Sequence, residues 1–325
     1  MARPAGPAAV ARCYDAPLPM RPESRPLPPP SAGSTAAVLA PGPAPTPGEA
    51  DALCERVATR HYENFPVGSW LLPGEVRPAV RAVYAFARAA DDYADEPAYA
   101  GRRLALLDAW ERSLDAAFEG DARDPVFVAL AAAIRRHHLP KQPFLDLLAA
   151  FRRDAADPRT PDWAALLEYC RLSANPIGRL MLHLFGIADD ARLRLSDRIC
   201  TGLQLANHWQ DLAIDARRGR FYAPADLMRR CGVDEAALAA EPGSAAGRAL
   251  VRDLVARSLP FFDEGRALCD QVSGRLRYEL RLTWLGGCRI LERIETAGGD
   301  VWRHRPRIGA AGAARIAVGA LLWRR

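Results

Sequence analysis

Apolar residues recur every three or four positions along most of the chain, from about residue 51 to about residue 298. This is the period of α-helices that bury one face, whereas the alternating β-branched runs of half-buried strands are almost absent. Turn signals rich in Gly and Pro separate segments of ordinary or longer helix length. The pattern predicts an all-α fold, a single bundle of roughly ten helices.

The two ends of the chain differ from this central part. Residues 1–50 are rich in Pro, Ala and Gly and are predicted to be a disordered extension. Residues 51–302 form the predicted all-α domain, and residues 303–325 are a basic tail. One interpretation of the tail is a loosely ordered terminus. The other is an interfacial anchor whose Trp and Arg residues suit anionic lipid headgroups.

Composition and charge exclude several classes of protein. Half of the 325 residues are apolar and 26% are charged, as in soluble globular proteins. The net charge of +5 comes from the tail, which has six Arg and no acid, while residues 51–302 carry a net charge of −2. A nearly neutral body argues against nucleic-acid binding.

Cysteine usage and hydropathy predict the compartment. The seven cysteines are scattered without a CxxC pair, as expected for reduced thiols in a cytosolic protein. No run approaches the roughly 20 apolar residues that span a bilayer, and the N-terminus lacks a continuous signal-peptide segment. We therefore expect a cytoplasmic protein, with peripheral contact at the inner face of the membrane left open.

The segment 75–96 reads EVRPAVRAVYAFARAADDYADE and carries the first group of acidic residues. At 100° per residue, an apolar stripe runs within about 40° of Val76. A second stripe, at about 60 to 120°, consists of Tyr84, Arg88, Asp91 and Asp95. Asp92 and Glu96 are predicted to point further outward, at about 160 and 200°.

These acids are not explained by helix stability. Asp is a poor helix former, and negative charge near a helix C-terminus opposes the helix dipole. The alternative is a solvated acidic face, but a bound Mg²⁺ would remove the penalty and leave coordination positions for phosphate.

A second stripe lies on the predicted helix 190–219, with Asp190 as N-cap and Gly219 as C-cap. Within about 60° of one line it carries Gln204, Asn207, Asp211 and Asp215. This all-oxygen set suits Mg²⁺ and not zinc. Either stripe alone is typical of a solvent-facing helix, but two in one helical chain indicate a Mg²⁺-bound diphosphate held between opposite walls.

With these two stripes, the chain resembles the squalene and phytoene synthases, which are all-α head-to-head prenyltransferases. The resemblance extends from about residue 61 to about residue 305. The resemblance rests on HYENFPVGSWLLP at 61–73, YAFARAADDYADE at 84–96, YCRLSANPIGRLMLHLFG at 169–186 and LQLANHWQDLAIDARRGRFYAP at 203–224. It implies an isoprenoid-synthase bundle with a central cavity. Within the family the chain most resembles the hydroxysqualene synthase branch of bacterial hopanoid biosynthesis.

The resemblance also implies roles for individual residues. It implies Mg²⁺ ligands at Asp91, Asp95, Asn207, Asp211 and Asp215. It implies diphosphate contacts at His61, Tyr84, Arg88, Arg220 and Tyr222, and cavity-lining positions at Tyr169, Gly178 and Gln204. Of these, Arg88, Tyr84, Tyr169 and Tyr222 are the expected catalytic residues. Without the resemblance, His61 fits a core histidine as well as it fits a diphosphate contact. Tyr222 likewise fits a residue that anchors a loop.

Three departures from the family pattern stand out. Gly298 and Gly299 occupy positions where relatives often carry Gly-Tyr, so any role of that hydroxyl is absent. Gln210 precedes Asp211 where some relatives carry Arg, which would alter phosphate contacts. The pair Asn175-Pro176 replaces a small-residue step of squalene and phytoene formers, and this change favours the hydroxysqualene branch.

The expected reaction is Mg²⁺-dependent ionisation of presqualene diphosphate, followed by capture of the carbocation by water to give hydroxysqualene. NADPH is not expected, because no GxGxxG follows a strand. One alternative is head-to-head condensation of two farnesyl or geranylgeranyl diphosphates to presqualene diphosphate, squalene or phytoene. Another is a non-catalytic assembly protein on the same fold. The expected partners are a prenyl diphosphate substrate and, further, enzymes of the same pathway.

Overall fold

A computed structural model describes residues 45–60, 72–157, 159–240, 243–303 and 305–323. Within those ranges the only strand-like pairing is an isolated bridge between Arg159 and Phe221, so the predicted all-α fold is confirmed. A single 3₁₀ turn, Pro97–Tyr99, accompanies the α-helices. In chain order these helices are α1 Pro47–Arg60, α2 Arg77–Asp95, α3 Arg103–Glu119, α4 Pro125–His137, α5 Gln142–Ala156, α6 Trp163–Ser173, α7 Asn175–Leu184, α8 Asp190–Arg217, α9 Ala225–Arg230, α10 Glu235–Ala239, α11 Ala245–Gly265, α12 Leu268–Gln271, α13 Gly274–Thr296 and α14 Ala310–Leu322.

The described ranges thus hold fourteen α-helices, more than the roughly ten expected. Three of the additional helices, α9, α10 and α12, are four to six residues long, too short to show a periodic pattern. A break at Ala174 also divides one expected helix into α6 and α7.

Two clusters of buried apolar residues form the core. The first combines α1 to α5 with the end of α7, and the second is built around α8, α11 and α13. Phe185 packs against both clusters, and α7 contacts α2, α5 and α8. The two helices with predicted carboxylate stripes, α2 and α8, therefore belong to opposite halves of the molecule.

Helix α8 is the longest element, with 28 residues and a length of about 42 Å. Its N-cap is Asp189 and not Asp190, because the Asp189 carboxylate accepts the backbone N–H of Arg192 at 3.0 Å. The helix ends at Arg217, and Gly219 (φ +77°) donates its N–H to the carbonyl of Ala216.

Helix α1 begins at Pro47, a few residues before the predicted boundary at residue 51. A reciprocal cap explains the start. The Thr46 backbone N–H donates to the Glu49 carboxylate at 2.8 Å, and the Glu49 N–H donates to the Thr46 hydroxyl at 3.4 Å.

The basic tail is not the loosely ordered terminus that one of the two interpretations predicted. Residues 310–322 form α14, which packs along α13. Trp323 ends the helix, and its ring lies 5.6 Å from that of Trp284, with the guanidinium groups of Arg266 and Arg281 at 4.7 and 4.5 Å. These aromatic and cation–π contacts hold the end of the helix on the body.

No helix among the described residues has a stretch that is long and apolar enough to cross a bilayer.

Candidate active site

The acidic end of α2 holds its carboxylates in two environments. Asp91 lies at the edge of the core with 36% of its side chain exposed, whereas Asp92 is 1% exposed. The Arg88 guanidinium lies one turn earlier, 2.6 Å from Asp92 and 3.4 Å from Asp91. The expectation that Asp92 points outward is therefore wrong, and Glu96 is half-buried. The helical wheel failed because α1, α3, α4, α5 and α7 all contact α2, which leaves it little outer face.

The oxygen-bearing stripe of α8 has the predicted register. Its four members are all half-buried: Gln204, Asn207, Asp211 and Asp215. Neighbours such as Leu205, Trp209 and Leu212 are buried in the second core cluster. The apolar contacts thus fix the rotation of α8 and keep the stripe at the border of the core.

Arg220 connects the two stripes. It lies just beyond the end of α8, and its guanidinium is 2.6 Å from the carboxylate of Asp95 on α2. The carboxyl of Asp215 interacts electrostatically with the positive charge of Arg220 and the negative charge of Asp95. The ends of α2 and α8 therefore face each other, with Arg220 between their carboxylates.

Negative charge is in excess at this junction. Burial, followed by the charge of Asp95, raises the pKa of Asp91 to about 7, and Arg88 offsets this only in part. Burial, followed by the charge of Asp211, likewise raises the pKa of Asp215 to about 7. Two carboxyls that ionise only near neutral pH mark a place where added positive charge is stabilising.

A further carboxylate, Asp154 on α5, faces the same region and was not predicted from the sequence. It accepts a hydrogen bond from the Tyr169 hydroxyl at 2.7 Å. Burial raises the pKa of Asp154 to about 7, and the nearby Asp95 also acts in this direction. The guanidinium of Arg153 lies 5.3 Å from the centre of the Tyr169 ring. A single acid in α5 gives no repeating pattern that would reveal it.

Aromatic rings form a wall beside the carboxylates. Tyr222 stacks on His208 with ring centres 4.1 Å apart, and Tyr169 lies 5.4 Å from Tyr222. Burial lowers the pKa of His208 to about 3, so the imidazole is neutral. His208 was also missed, although it lies on α8 at about 40° from Gln204, next to the predicted stripe.

Arg305 joins the site from a distant part of the chain. Its guanidinium binds both carboxylate oxygens of Asp211, with one contact at 2.9 Å. The next residue, Pro306, accepts a hydrogen bond from the buried side chain of Gln210. Since 94 residues separate Arg305 from Asp211, no local spacing signals this pair.

The remaining predicted residues have simpler placements. Gly178 lies where α7 crosses α8, and a Cβ there would come within 2.4 Å of the side chains of Ser196 and Cys200. Close helix packing thus accounts for this glycine. Tyr84 is half-buried and packs against the first core cluster. His61 lies outside the described residues.

The three departures from the family pattern have structural reasons. Gln210 is buried and faces Pro306, so it is not on the carboxylate stripe. Asn175 is buried at the start of α7 and accepts a hydrogen bond from Thr201 of α8 at 3.0 Å. Gly299 has φ +81°, and a Cβ there would lie 2.4 Å from the carbonyl oxygen of Arg248.

No group of three or more His, Cys, Asp or Glu side chains in the described ranges is close enough to hold a metal ion. Guanidinium groups contact the carboxylates: Arg88 lies on Asp91 and Asp92, Arg220 on Asp95, and Arg305 on Asp211. The donor atoms are nevertheless all oxygens, and burial together with neighbouring carboxylates raises the pKa values of Asp91 and Asp215. This chemistry fits a hard divalent cation.

The squalene/phytoene synthase family model matches residues 58–311. Hydroxysqualene synthase of Rhodopseudomonas palustris is 34% identical over 73% of this chain and 81% of its own length. Phytoene synthase of Mycobacterium tuberculosis is 35% identical over 71% of this chain and 80% of its own. The crystal structure of squalene synthase HpnC from Alicyclobacillus acidocaldarius has 42% identity and a TM-score of 0.73, covering 78% of this chain and 96% of that one.

Proposed function

This chain belongs to the squalene/phytoene synthase family, and we propose that it converts presqualene diphosphate and water into hydroxysqualene and diphosphate. One observation carries the proposal: α2 and α8 present carboxylates from opposite halves of the molecule, with Arg220 between them. Such an arrangement suits a diphosphate group, whose oxygens need positive charge from two sides. The similarity to hydroxysqualene synthase of Rhodopseudomonas palustris supports the choice of branch.

The chain itself would bind the leaving group. Arg88 and Arg220 each hold a carboxylate at 2.6 Å, and they are placed to turn toward the oxygens of a diphosphate. Asp91, Asp95, Asn207, Asp211 and Asp215 would hold Mg²⁺. When bound, Mg²⁺ supplies positive charge that stabilises the departing diphosphate. Ionisation then breaks only the carbon–oxygen bond between the cyclopropylcarbinyl carbon and the diphosphate.

The aromatic wall suits the cation that remains. The rings of Tyr169 and Tyr222 offer π faces, which stabilise positive charge. His208 adds no repulsion, because its low pKa keeps it neutral. Water then adds to the rearranged cation, and one proton leaves to the released diphosphate, because burial raises the pKa of Tyr169 and keeps its phenol protonated. No electrons are exchanged, so this reaction requires no NADPH.

A second candidate function is the head-to-head condensation of two allylic diphosphates. The similarity to phytoene synthase of Mycobacterium tuberculosis favours this condensation. That enzyme matches this chain with nearly the same identity and coverage as the hydroxysqualene synthase does. A non-catalytic assembly protein is a weaker alternative, since it has no need of both carboxylate stripes.

Product analysis by mass spectrometry separates these functions. With presqualene diphosphate and Mg²⁺ we expect hydroxysqualene, carrying one oxygen from labelled water, in equal yield with and without NADPH. Farnesyl diphosphate alone should give no turnover. Condensation of farnesyl or geranylgeranyl diphosphate would support the second candidate, and squalene formed only with NADPH would refute water capture.

The proposed substrate and product are long-chain lipids, so we also propose that the enzyme works at the surface of a membrane, on its cytoplasmic face. Pathway enzymes that supply the substrate or take up the product would meet it there.

A further inference from the structure

Helix α14 has an unusual outer face. One side of the helix, formed by Gly312, Ile316, Gly319, Ala320 and Trp323, is partly or fully buried on the body. The opposite side, within an arc of about 100°, consists of Ala311, Ala314, Val318, Leu321 and Leu322. A surface helix normally carries polar residues there, and α14 carries none.

The exposure is large and local. Val318, Leu321 and Leu322 are 54, 68 and 61% exposed. Only two other large hydrophobic residues in the described ranges are exposed, Leu104 at 49% and Tyr278 at 39%. Three of five exposed large hydrophobics thus fall within the last two turns of one helix. A clustered apolar surface of this kind indicates an interaction site.

The charge around α14 indicates what binds there. Residues 303–325 contain six Arg and no Asp or Glu, and the body of the chain is slightly negative. Arg307 and Arg315 are exposed, and Arg315 lies at the edge of the apolar face. Apolar side chains flanked by Arg match an anionic lipid surface. A second copy of this chain fits less well, because two tails with the same positive charge would repel each other.

We propose that α14 docks the protein on anionic membranes, with Val318, Leu321 and Leu322 inserted among the acyl chains and the neighbouring Arg residues on lipid phosphates. Trp323 does not insert, because its ring lies between Arg266 and Arg281 and its indole N–H donates to Asp270. The role of Trp323 is to hold α14 on the body so that the opposite face stays outward. The docking proposal rests on the proposed function, because it assigns the membrane contact of that function to this surface.

Co-sedimentation of the full chain with vesicles tests the docking. We expect binding to phosphatidylglycerol/phosphatidylethanolamine vesicles, weakened by salt, and little binding to pure phosphatidylcholine. Replacing both Leu321 and Leu322 by Gln should reduce the partition coefficient about tenfold or more. The single change Leu321→Gln and the matched change Leu104→Gln, on α3, isolate the position, and only the first should weaken binding. Circular dichroism checks that each variant keeps its helices.

Several outcomes would overturn the proposal. These are absence of vesicle binding, equal binding to phosphatidylcholine, and binding that survives the double substitution. A dimer that dissociates in the double variant, without vesicle binding, would show that a second copy covers the face. The assay contains neither substrate nor metal. Turnover of detergent-dispersed presqualene diphosphate should be the same in the double variant as in the unaltered chain. The vesicle assay and the turnover assay therefore test the docking proposal and the proposed function independently.

Discussion

Arg305 binds Asp211 through both carboxylate oxygens, although 94 residues separate them, and so ties the segment before α14 to the middle of α8. Asp211 is one of the proposed metal ligands, so the guanidinium and a cation compete for the same oxygens. Removing the guanidinium should therefore free the carboxylate.

We expect Arg305→Gln to tighten Mg²⁺ binding to the substrate-free protein severalfold, as measured by isothermal titration calorimetry. The same change should lower the free energy of unfolding by about 1 kcal/mol, since the pair is partly exposed. Arg307→Gln removes an exposed neighbouring charge and serves as the control. Equal Mg²⁺ affinity in the two variants would show that Arg305 does not compete with the metal.

Asp91 is one of the two proposed Mg²⁺ ligands on α2. Asp91→Asn should reduce diphosphate release about 1000-fold, which corresponds to ~4 kcal/mol of lost transition-state stabilisation. The measurement is release of diphosphate from presqualene diphosphate at saturating Mg²⁺. Asp190→Asn makes the same replacement at an exposed position in the first turn of α8 and should leave the rate unchanged. Activity retained within tenfold in Asp91→Asn contradicts the metal assignment.

Between pH 6.5 and 8, stability should depend on pH more strongly without Mg²⁺ than with it. The pKa values of Asp91, Asp154 and Asp215 are raised to about 7 from an unfolded value near 4. The folded state then holds protons that the unfolded state has lost, so without metal these groups reduce stability as pH rises toward 7. His208 acts in the opposite sense, but only below its unfolded pKa of about 6.5.

Between pH 6.5 and 8 the carboxyls should therefore dominate. Because Mg²⁺ binds the ionised oxygens, we expect it to raise the melting temperature more at pH 8 than at pH 6.5. Differential scanning fluorimetry measures both series. The combined variant Asp91→Asn/Asp215→Asn should lose most of this difference, and an unchanged difference would place the titrating groups elsewhere.

The hydroxyl of Tyr169 connects the aromatic wall to Asp154, and its removal tests this connection. Tyr169→Phe removes the hydrogen bond to Asp154 and leaves a buried carboxyl without that donor, which should cost about 1–2 kcal/mol of stability. We also expect kcat to fall about 10-fold or more while KM changes little, because the bound diphosphate is not touched. Tyr278→Phe, on the exposed side of α13, is the matched control. A rise in KM at constant kcat would indicate a role in substrate binding instead.

Gly299 should not tolerate a side chain. It combines φ +81° with a Cβ position 2.4 Å from the Arg248 carbonyl, so Gly299→Ala should lower the free energy of unfolding by about 2–4 kcal/mol. Gly309→Ala, at φ −80° with open space around the Cβ, should be nearly neutral. Chemical denaturation measures both, and similar values for the two would refute the steric account.

The sequence predicted what a single helix determines. The stripe from Gln204 to Asp215 follows from the 3.6-residue period, because its members recur about one turn apart between residues that are buried in the second core cluster. The same reasoning failed for Asp92, since helices contact α2 on most of its sides and a wheel cannot show how many faces are covered. Arg305 and Asp154 depend on tertiary approach of distant segments, which no periodicity records. The family resemblance supplied the substrate class, but it did not reveal that Trp323 folds back onto Arg266 and Arg281.

Helix α8 runs without interruption from its Asp189 cap to the turn at Gly219, and this continuity restricts how the protein can evolve. Deleting or inserting one residue before Asn207 would rotate everything beyond it by about 100°, which would move Asp211 and Asp215 off the stripe and Trp209 out of the second core cluster. Selection should therefore remove nearly all length changes within this helix. Related sequences should differ by substitutions in α8 and by insertions in the loops around α9 and α10.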